Sequence, residues 1–407
     1  MKINFWLLLA LVWTAGPPSS FAAGADVSRL AAANNTFAFK LLKQLTAGQP
    51  GASIFVSPYS AATALQMAAN GAAGQTRTEM QQVLETSGLS TSALNAASHT
   101  VSDWLSSKDT NLILTTANAL WYRQSAHIKP EFLAANRQFF AATVRSLDFA
   151  NVPGAENEIN QWASDQTHGR ITGIANGMID PLYTDLVLAN AIYFIGKWLN
   201  PFDKSLTRER PFHPAAGADK NVPMMEMTKK FTYRQGSGYQ AVRLPYRGGD
   251  LAMYVFLPDP GSSPAKLLQI LNGDKWRRVT MPGFTERDGR VVLPKFKLEN
   301  TYDLIPPLTA LGMKTIFENR KMQPLPDFSN MFREQHHISA VRQKTFVEVA
   351  EEGTEAAAVT GIAMQLDRAM PMNRAKPFEM IMDRPFLFAI LDARSEMILF
   401  MGVMNVL

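Results

Sequence analysis

Apolar positions along this chain follow two rhythms. Phe37, Leu41 and Leu45, with Leu30 and Ala33 before them, recur at helical spacing on one face. Ser57-Pro58 opens a second helix, with Ser57 as a capping residue and Pro58 at the first helical position. The small apolar stretch Tyr59 to Ala69 then predicts a deeply buried helix, ended by Gly71 and Gly74. Asp185 to Phe194 (DLVLANAIYF) is apolar except at Asn190, past its first residue, which predicts a central strand covered on both faces. Leu251 to Leu257, Val291 to Phe296 and Phe346 to Val349 predict further strands. Phe386 to Leu391 and Met397 to Met401 predict a terminal hairpin turned at Asp392 to Ser395. Helices and strands mix without a βαβ rhythm, so the predicted class is α+β. From Gly353 to Arg384 the core pattern lapses. Structureless stretches of that length inside a compact domain are usually functional.

The first residues carry a different signal. Lys2 precedes the apolar run Phe5 to Val12, and Ser20-Phe21-Ala22 places small residues at both ends of a cleavage tripeptide. This predicts a signal peptide over residues 1–22, cleaved near Ala22, and hence a secreted or periplasmic protein. No later stretch approaches the roughly 18 uninterrupted apolar residues of a membrane span, so no membrane partner is expected. The chain has no Cys, which excludes disulfides and thiol catalysis. With 46% hydrophobic residues it can bury a large core instead. The net charge of +5 is modest, and the densest basic cluster, Lys275-Trp276-Arg277-Arg278, is short. It reads as a solvated patch, and no nucleic-acid partner is expected.

Enzyme signatures are absent: no G-x-S-x-G, no H-E-x-x-H, no G-x-x-x-x-G-K and no spaced zinc pair. Ser57 and Ser60 share one helix with no identifiable base, and read as a cap and a buried hydroxyl. His336-His337 could ligate metal only if both side chains turned the same way. Strand neighbours face opposite sides, so these two are expected at a surface or boundary. No metal, cofactor or catalytic residue is predicted.

The stretch FVEVAEEGTEAAAVTG, Phe346 to Gly361, resembles the hinge of the serpin family. FVSPYSAATALQMAANGAAGQT, ANALW, residues 159–174, LVLANAIYFIGKWLNPF and RPFLF resemble other serpin segments, in the serpin order. The resemblance runs from about Ala32 to the end and places the chain as a bacterial-type exported member. It implies a single domain over residues 32–407 with the serpin fold: three β-sheets, about nine helices and an exposed reactive-centre loop at about residues 353–378. It also implies a suicide-substrate inhibitor of a serine or cysteine protease, working as a monomer through a covalent complex. In that mechanism the cut loop enters the main sheet as a new strand. The alternatives are a non-inhibitory carrier or chaperone on the same fold, and a hydrolase on an α+β scaffold.

The hinge residues are Glu351, Glu352, Gly353, Thr354, Glu355, Ala356, Ala357, Ala358, Val359 and Thr360. A segment that enters a finished sheet needs small inward side chains at every second position. Thr354, Ala356, Ala358 and Thr360 meet that need, while Glu355 keeps its charge on the outer side. Counting from Glu351 as the family counts, Asp367 precedes the cut bond and Arg368 follows. A shift of one residue makes Arg368 the bait, followed by Ala369, and the target a trypsin-like enzyme. Ser57, Ser60, Asn190 and Trp198 match positions of the family's sheet-opening region. Gln343 stands where a His is common, and Gln cannot titrate. No heparin-type cofactor is implied, since the helix expected at Thr91 to Ser106 has no Lys or Arg.

Overall fold

Alternating side chains along one strand organise the two layers of the molecule. In the computed structural model, which describes residues 20–106, 112–318, 323–354 and 376–407, Leu186–Lys197 is a strand whose Leu186 to Phe194 are all buried. Leu186, Leu188, Ile192 and Phe194 face the molecular interior. Val187, Ala189 and Ala191 face Val152–Gln166, a helix lying across the sheet and packed through Ile159 and Ala163. Small residues on that face let the helix approach closely. Asn190 falls in the interior row, between Leu188 and Ile192.

Numbered along the chain, the strands are β1 (Ile54–Val56), β2 (Leu112–Arg123), β3 (Thr143–Leu147), β4 (Leu186–Lys197) and β5 (Arg208–Phe212). Next come β6 (Lys220–Gly236), β7 (Tyr239–Pro245), β8 (Leu251–Pro258), β9 (Thr285–Pro294) and β10 (Phe296–Asp303). The last are β11 (Ile338–Ala350), β12 (Gly353–Thr354), β13 (Phe378–Ile381), β14 (Phe386–Asp392) and β15 (Ile398–Met404). The main sheet has six strands in the order β10-β11-β12-β4-β2-β3. Its centre is unusual: β11 and β4 run parallel and pair directly from Ile338↔Leu186 to Phe346↔Tyr193. The other nine strands form one hydrogen-bonded system. Long β6 pairs with β5, β7 and β9, so it joins the two remaining sheets of a three-sheet description. The molecule is α+β.

Pro58–Ala69 is the helix beneath the main sheet, with every residue but Thr63 buried and the Ser57 hydroxyl accepting from the Ser60 amide. Gly74 does not end this helix but begins the next, Gly74–Val83. Three further sequence expectations are corrected. Val291 to Phe296 is not one strand: Pro294 closes β9 and Phe296 opens β10, and the two lie in different sheets. Local hydrophobicity runs unbroken across that change of sheet. The stretch after Gly353 does contain core: Phe378, Met380 and Met382 are buried, and β13 pairs with β9. Four residues of alternation are too short to read against the polar sequence before them. Trp276 fixes the basic cluster to the body by full burial, so the patch is only partly solvated.

Candidate functional site

The parallel β4–β11 pair gives way at its upper end to a two-residue strand. Gly353 and Thr354 of β12 sit between Ala350 and Val349 of β11 on one side and Lys197 and Gly196 of β4 on the other, antiparallel to both. Thr354 is wholly buried and its hydroxyl shares a 2.8 Å hydrogen bond with the Tyr246 phenol. Desolvation raises the pKa of that phenol, so it stays neutral. Tyr246 stacks on Trp198 with ring centroids 4.6 Å apart, and Trp198 Nε1 donates to the Ala350 carbonyl at 2.9 Å. A Cβ on Gly353 would lie 2.1 Å from the Gly196 carbonyl oxygen, so this place admits glycine alone.

Two acidic residues anchor the turn before this strand. Burial pushes the Glu351 carboxyl up, but Lys295 at 2.9 Å and the Thr207 hydroxyl at 2.9 Å hold it below its ordinary value. Glu352 pairs with Lys204 at 2.6 Å.

Lower in the sheet, three amides stand in one row across three strands. Gln343 pairs with Asn190, and Asn190 with Asn118. Gln343 Nε2 donates to Asn190 Oδ1 at 2.8 Å, and Asn190 Nδ2 donates to Asn118 Oδ1 at 2.7 Å. Gln343 also holds the end of the buried helix: its Oε1 accepts from the Ser57 amide at 3.0 Å, and its Nε2 lies 2.9 Å from the Ser57 carbonyl. Asn190 contacts the Ser60 hydroxyl, and Ser57 Oγ donates to the Leu399 carbonyl at 2.7 Å. Ser57, Ser60, Asn190, Asn118 and Gln343 are all buried. The row therefore ties β2, β4, β11 and the helix together, and the Gln343–Asn190 hydrogen bond crosses directly from β11 to β4.

A family profile described as Serpin (serine protease inhibitor) matches residues 32–406. The chain belongs to the serpin family. A leukocyte elastase inhibitor of Bos taurus is 37% identical over 386 residues, covering 92% of this chain and 99% of the relative. Iripin-2 of Ixodes ricinus is 36% identical over 407 residues, covering 98% and 97%. A serpin-like protein of Thermococcus kodakarensis is 36% identical over 372 residues, covering 91% and 84%. Among solved structures, native protease nexin-1 with heparin superposes with a TM-score of 0.82 at 28% identity, covering 94% of this chain and all of the other. The thermophilic serpin tengpin in its native state gives 0.82 at 26% identity, covering 97% and 96%.

In this serpin the upper end of the β4–β11 pair holds Trp198 beside Glu351, Glu352, Gly353 and Thr354 of the sequence reading, and the amide row midway along the pair holds Ser57, Ser60, Asn190 and Gln343. The remaining hinge residues, Glu355, Ala356, Ala357, Ala358, Val359 and Thr360, lie outside the described residues, as do Asp367, Arg368 and Ala369. Sequence reasoning missed Tyr246, Asn118, Lys204, Lys295 and Thr207. Asn118 left a trace, a lone amide in the strand sequence ANALW. The others come from distant elements and left none.

His336 and His337 correct the expectation of opposite faces. They precede β11 and do not belong to it, so strand alternation does not govern them. Both Nδ1 atoms approach Asp185 Oδ2, at 3.5 and 3.1 Å. His337 Nε2 lies 3.2 Å from Ser339 Oγ, which gives Ser339, His337 and Asp185 the order of a hydrolytic triad. Ser339 Oγ, however, accepts from the Asp185 amide at 2.8 Å, and the adjoining cavity of about 10 Å³, lined in part by both histidines, has no room for a substrate. The cluster therefore lacks the substrate access of a hydrolytic triad.

Proposed function

We propose that this serpin inhibits a serine or cysteine protease by being consumed as its substrate. The protease nucleophile attacks the carbonyl of Asp367 or Arg368, and the peptide bond to the next residue breaks. The departing nitrogen takes a proton as a new amino terminus, leaving an ester or thioester to the enzyme. The freed loop then enters between β11 and β4 before water can release the protease. The observation that carries this reading is β12: Gly353 and Thr354 already occupy the first two places of that strand.

The strand has both a path and a driving force. Each step down β11 from Val349 to Ile338 matches one step along the loop from Thr354, so Gln365 would meet Ile338. Insertion would replace one parallel interface with two antiparallel ones, which are more numerous and slightly more stable per residue. A strand from Gly353 to Gln365 spans roughly 40 Å at about 3.3 Å per residue. A protease tethered beyond it is carried a comparable distance. The wholly buried, uncharged Thr354 favours this over a non-inhibitory carrier.

A protease panel, denaturing gels and mass spectrometry of the released fragment test the proposal. A detergent-stable adduct is expected. A fragment starting at Ala369 identifies Arg368 as bait, and one starting at Arg368 identifies Asp367. Cleavage with no adduct at any stoichiometry overturns inhibition. We further take the chain to act as an exported, bacterial-type monomer. The support for export is the apolar run and cleavage tripeptide in residues 1–22. Terminal sequencing of the protein recovered outside the cytoplasm should begin near Ala23, and an N-terminus at Met1 would overturn export.

A further inference from the structure

We propose that Asp185, His336 and His337 form a pH-sensitive clasp at the foot of the β4–β11 pair, which tightens on acidification and must open for loop insertion to finish. The inference rests on the insertion reading above. Asp185 stands one residue before β4, and His337 one residue before β11. Their first paired residues are Leu186 and Ile338. The clasp thus joins the two strands at the end opposite β12. By the register given above, the inserting strand reaches it last, at Gln365.

The chemistry of the cluster gives the sign. His336 is nine-tenths buried, and neither ring nitrogen has a well-formed hydrogen bond. Both nonetheless face carboxylates: Nδ1 is 3.5 Å from Asp185 Oδ2, and Nε2 is 3.9 Å from Glu334 Oε2. A neutral imidazole can donate from one nitrogen only, whereas an imidazolium donates from both. Each ring nitrogen of His336 thus has a carboxylate oxygen within 4 Å. His337 meets Asp185 through Nδ1 and Ser339 Oγ through Nε2.

The other charged groups are few. Arg123, at the end of β2, places Nε 3.4 Å from Asp185 Oδ1. Glu334 also pairs with exposed His127 at 2.6 Å, and Glu318 lines the small cavity beside both histidines. Around the two histidines three carboxylates, Asp185, Glu334 and Glu318, are set against the single guanidinium of Arg123. An added imidazolium offsets part of that negative excess. Desolvation works against ionising Asp185, but the nearby imidazoles of His336 and His337, the latter in hydrogen-bond contact, outweigh it and hold this carboxylate well below its usual range. Asp185 is thus an anion whenever the histidines take protons. Histidine changes charge between about pH 5 and pH 8, so the clasp strengthens across that window as pH falls. Opening parts Asp185 from both rings and loses the added attraction.

Annealing of a synthetic peptide with the sequence of Thr354 to Gln365 to the full-length protein reads insertion without any protease. Insertion appears as a rise in the thermal unfolding temperature, and its rate is followed from about pH 8 to about pH 5.5. The wild-type rate is expected to fall about tenfold over this range. The His336→Gln/His337→Gln protein should lose that dependence and insert at least as fast as wild type does at the alkaline end. His336→Gln alone serves if the double variant does not fold. A shared pH profile in wild type and variant, or a wild-type rate that rises on acidification, overturns the clasp. Failure of the peptide to anneal to any of the proteins at any pH brings down the insertion reading itself, and the clasp with it.

Discussion

At Gly353 the state of the hinge turns on a single hydrogen atom. A methyl group there meets the Gly196 carbonyl and the Lys197 Cα at 2.1 and 2.6 Å, so Gly353→Ala is expected to expel β12. Faster amide hydrogen exchange at Thr354, with the rest of the chain unchanged, would record it; unchanged protection would refute it. Thr354→Arg should act on the seated β12 and on insertion alike, because it sets a charge in a wholly buried site. The loop would still be cut but would not insert, and the stoichiometry of inhibition should rise at least tenfold, an effect of roughly 1.4 kcal/mol or more. Glu351 supplies a pH effect with a definite sign. Its carboxyl titrates below the ordinary value because Lys295 and Thr207 favour the anion over the opposing effect of burial. Its anchoring is therefore present above the unfolded-state value of about 4.3 and lost as pH falls through the lower folded-state value. Hinge amides should lose protection only below about pH 4, and Glu351→Gln should remove that step.

Among the elements, the amide row of Asn118, Asn190 and Gln343 couples three strands to the helix that starts at Ser57. Gln343→Ala would leave the Ser57 amide and carbonyl and one Asn190 oxygen without their partner. It should destabilise the native fold by about 1–3 kcal/mol, measured by urea unfolding. A denaturation midpoint equal to wild type would show that water or a side-chain shift replaces those bonds. Much at this scale was legible from sequence, because period and capping are local. Ser57-Pro58 and the apolar run broken only at Asn190 identified the helix and the central strand directly. Element ends were less legible: Pro294 and Phe296 lie in one apolar run yet belong to different sheets, a division made by partner strands that the run does not encode. His336 and His337 were misread for a similar reason. Their common orientation follows from chain that has not yet entered β11, and the carboxylate they share comes from more than a hundred residues earlier.

For the whole molecule, the decisive feature is the parallel β4–β11 pair held between antiparallel neighbours. Cleavage in the loop should yield a form that unfolds at a higher temperature than the intact chain, since insertion adds a full strand of antiparallel pairing. Calorimetry of the purified cleaved protein checks this, and an equal or lower transition would count against the proposed path. The sequence by itself determined the family resemblance, the class of elements, and the small side chains that allow a hinge to enter a sheet. Each of these is written in composition and spacing over a few adjacent residues. Only the tertiary structure decided that β12 is already seated, that Tyr246 and Lys295 hold the hinge, and that Asp185 joins the two histidines. Those contacts link residues far apart in the chain, and register between distant strands is settled by the packed fold as a whole.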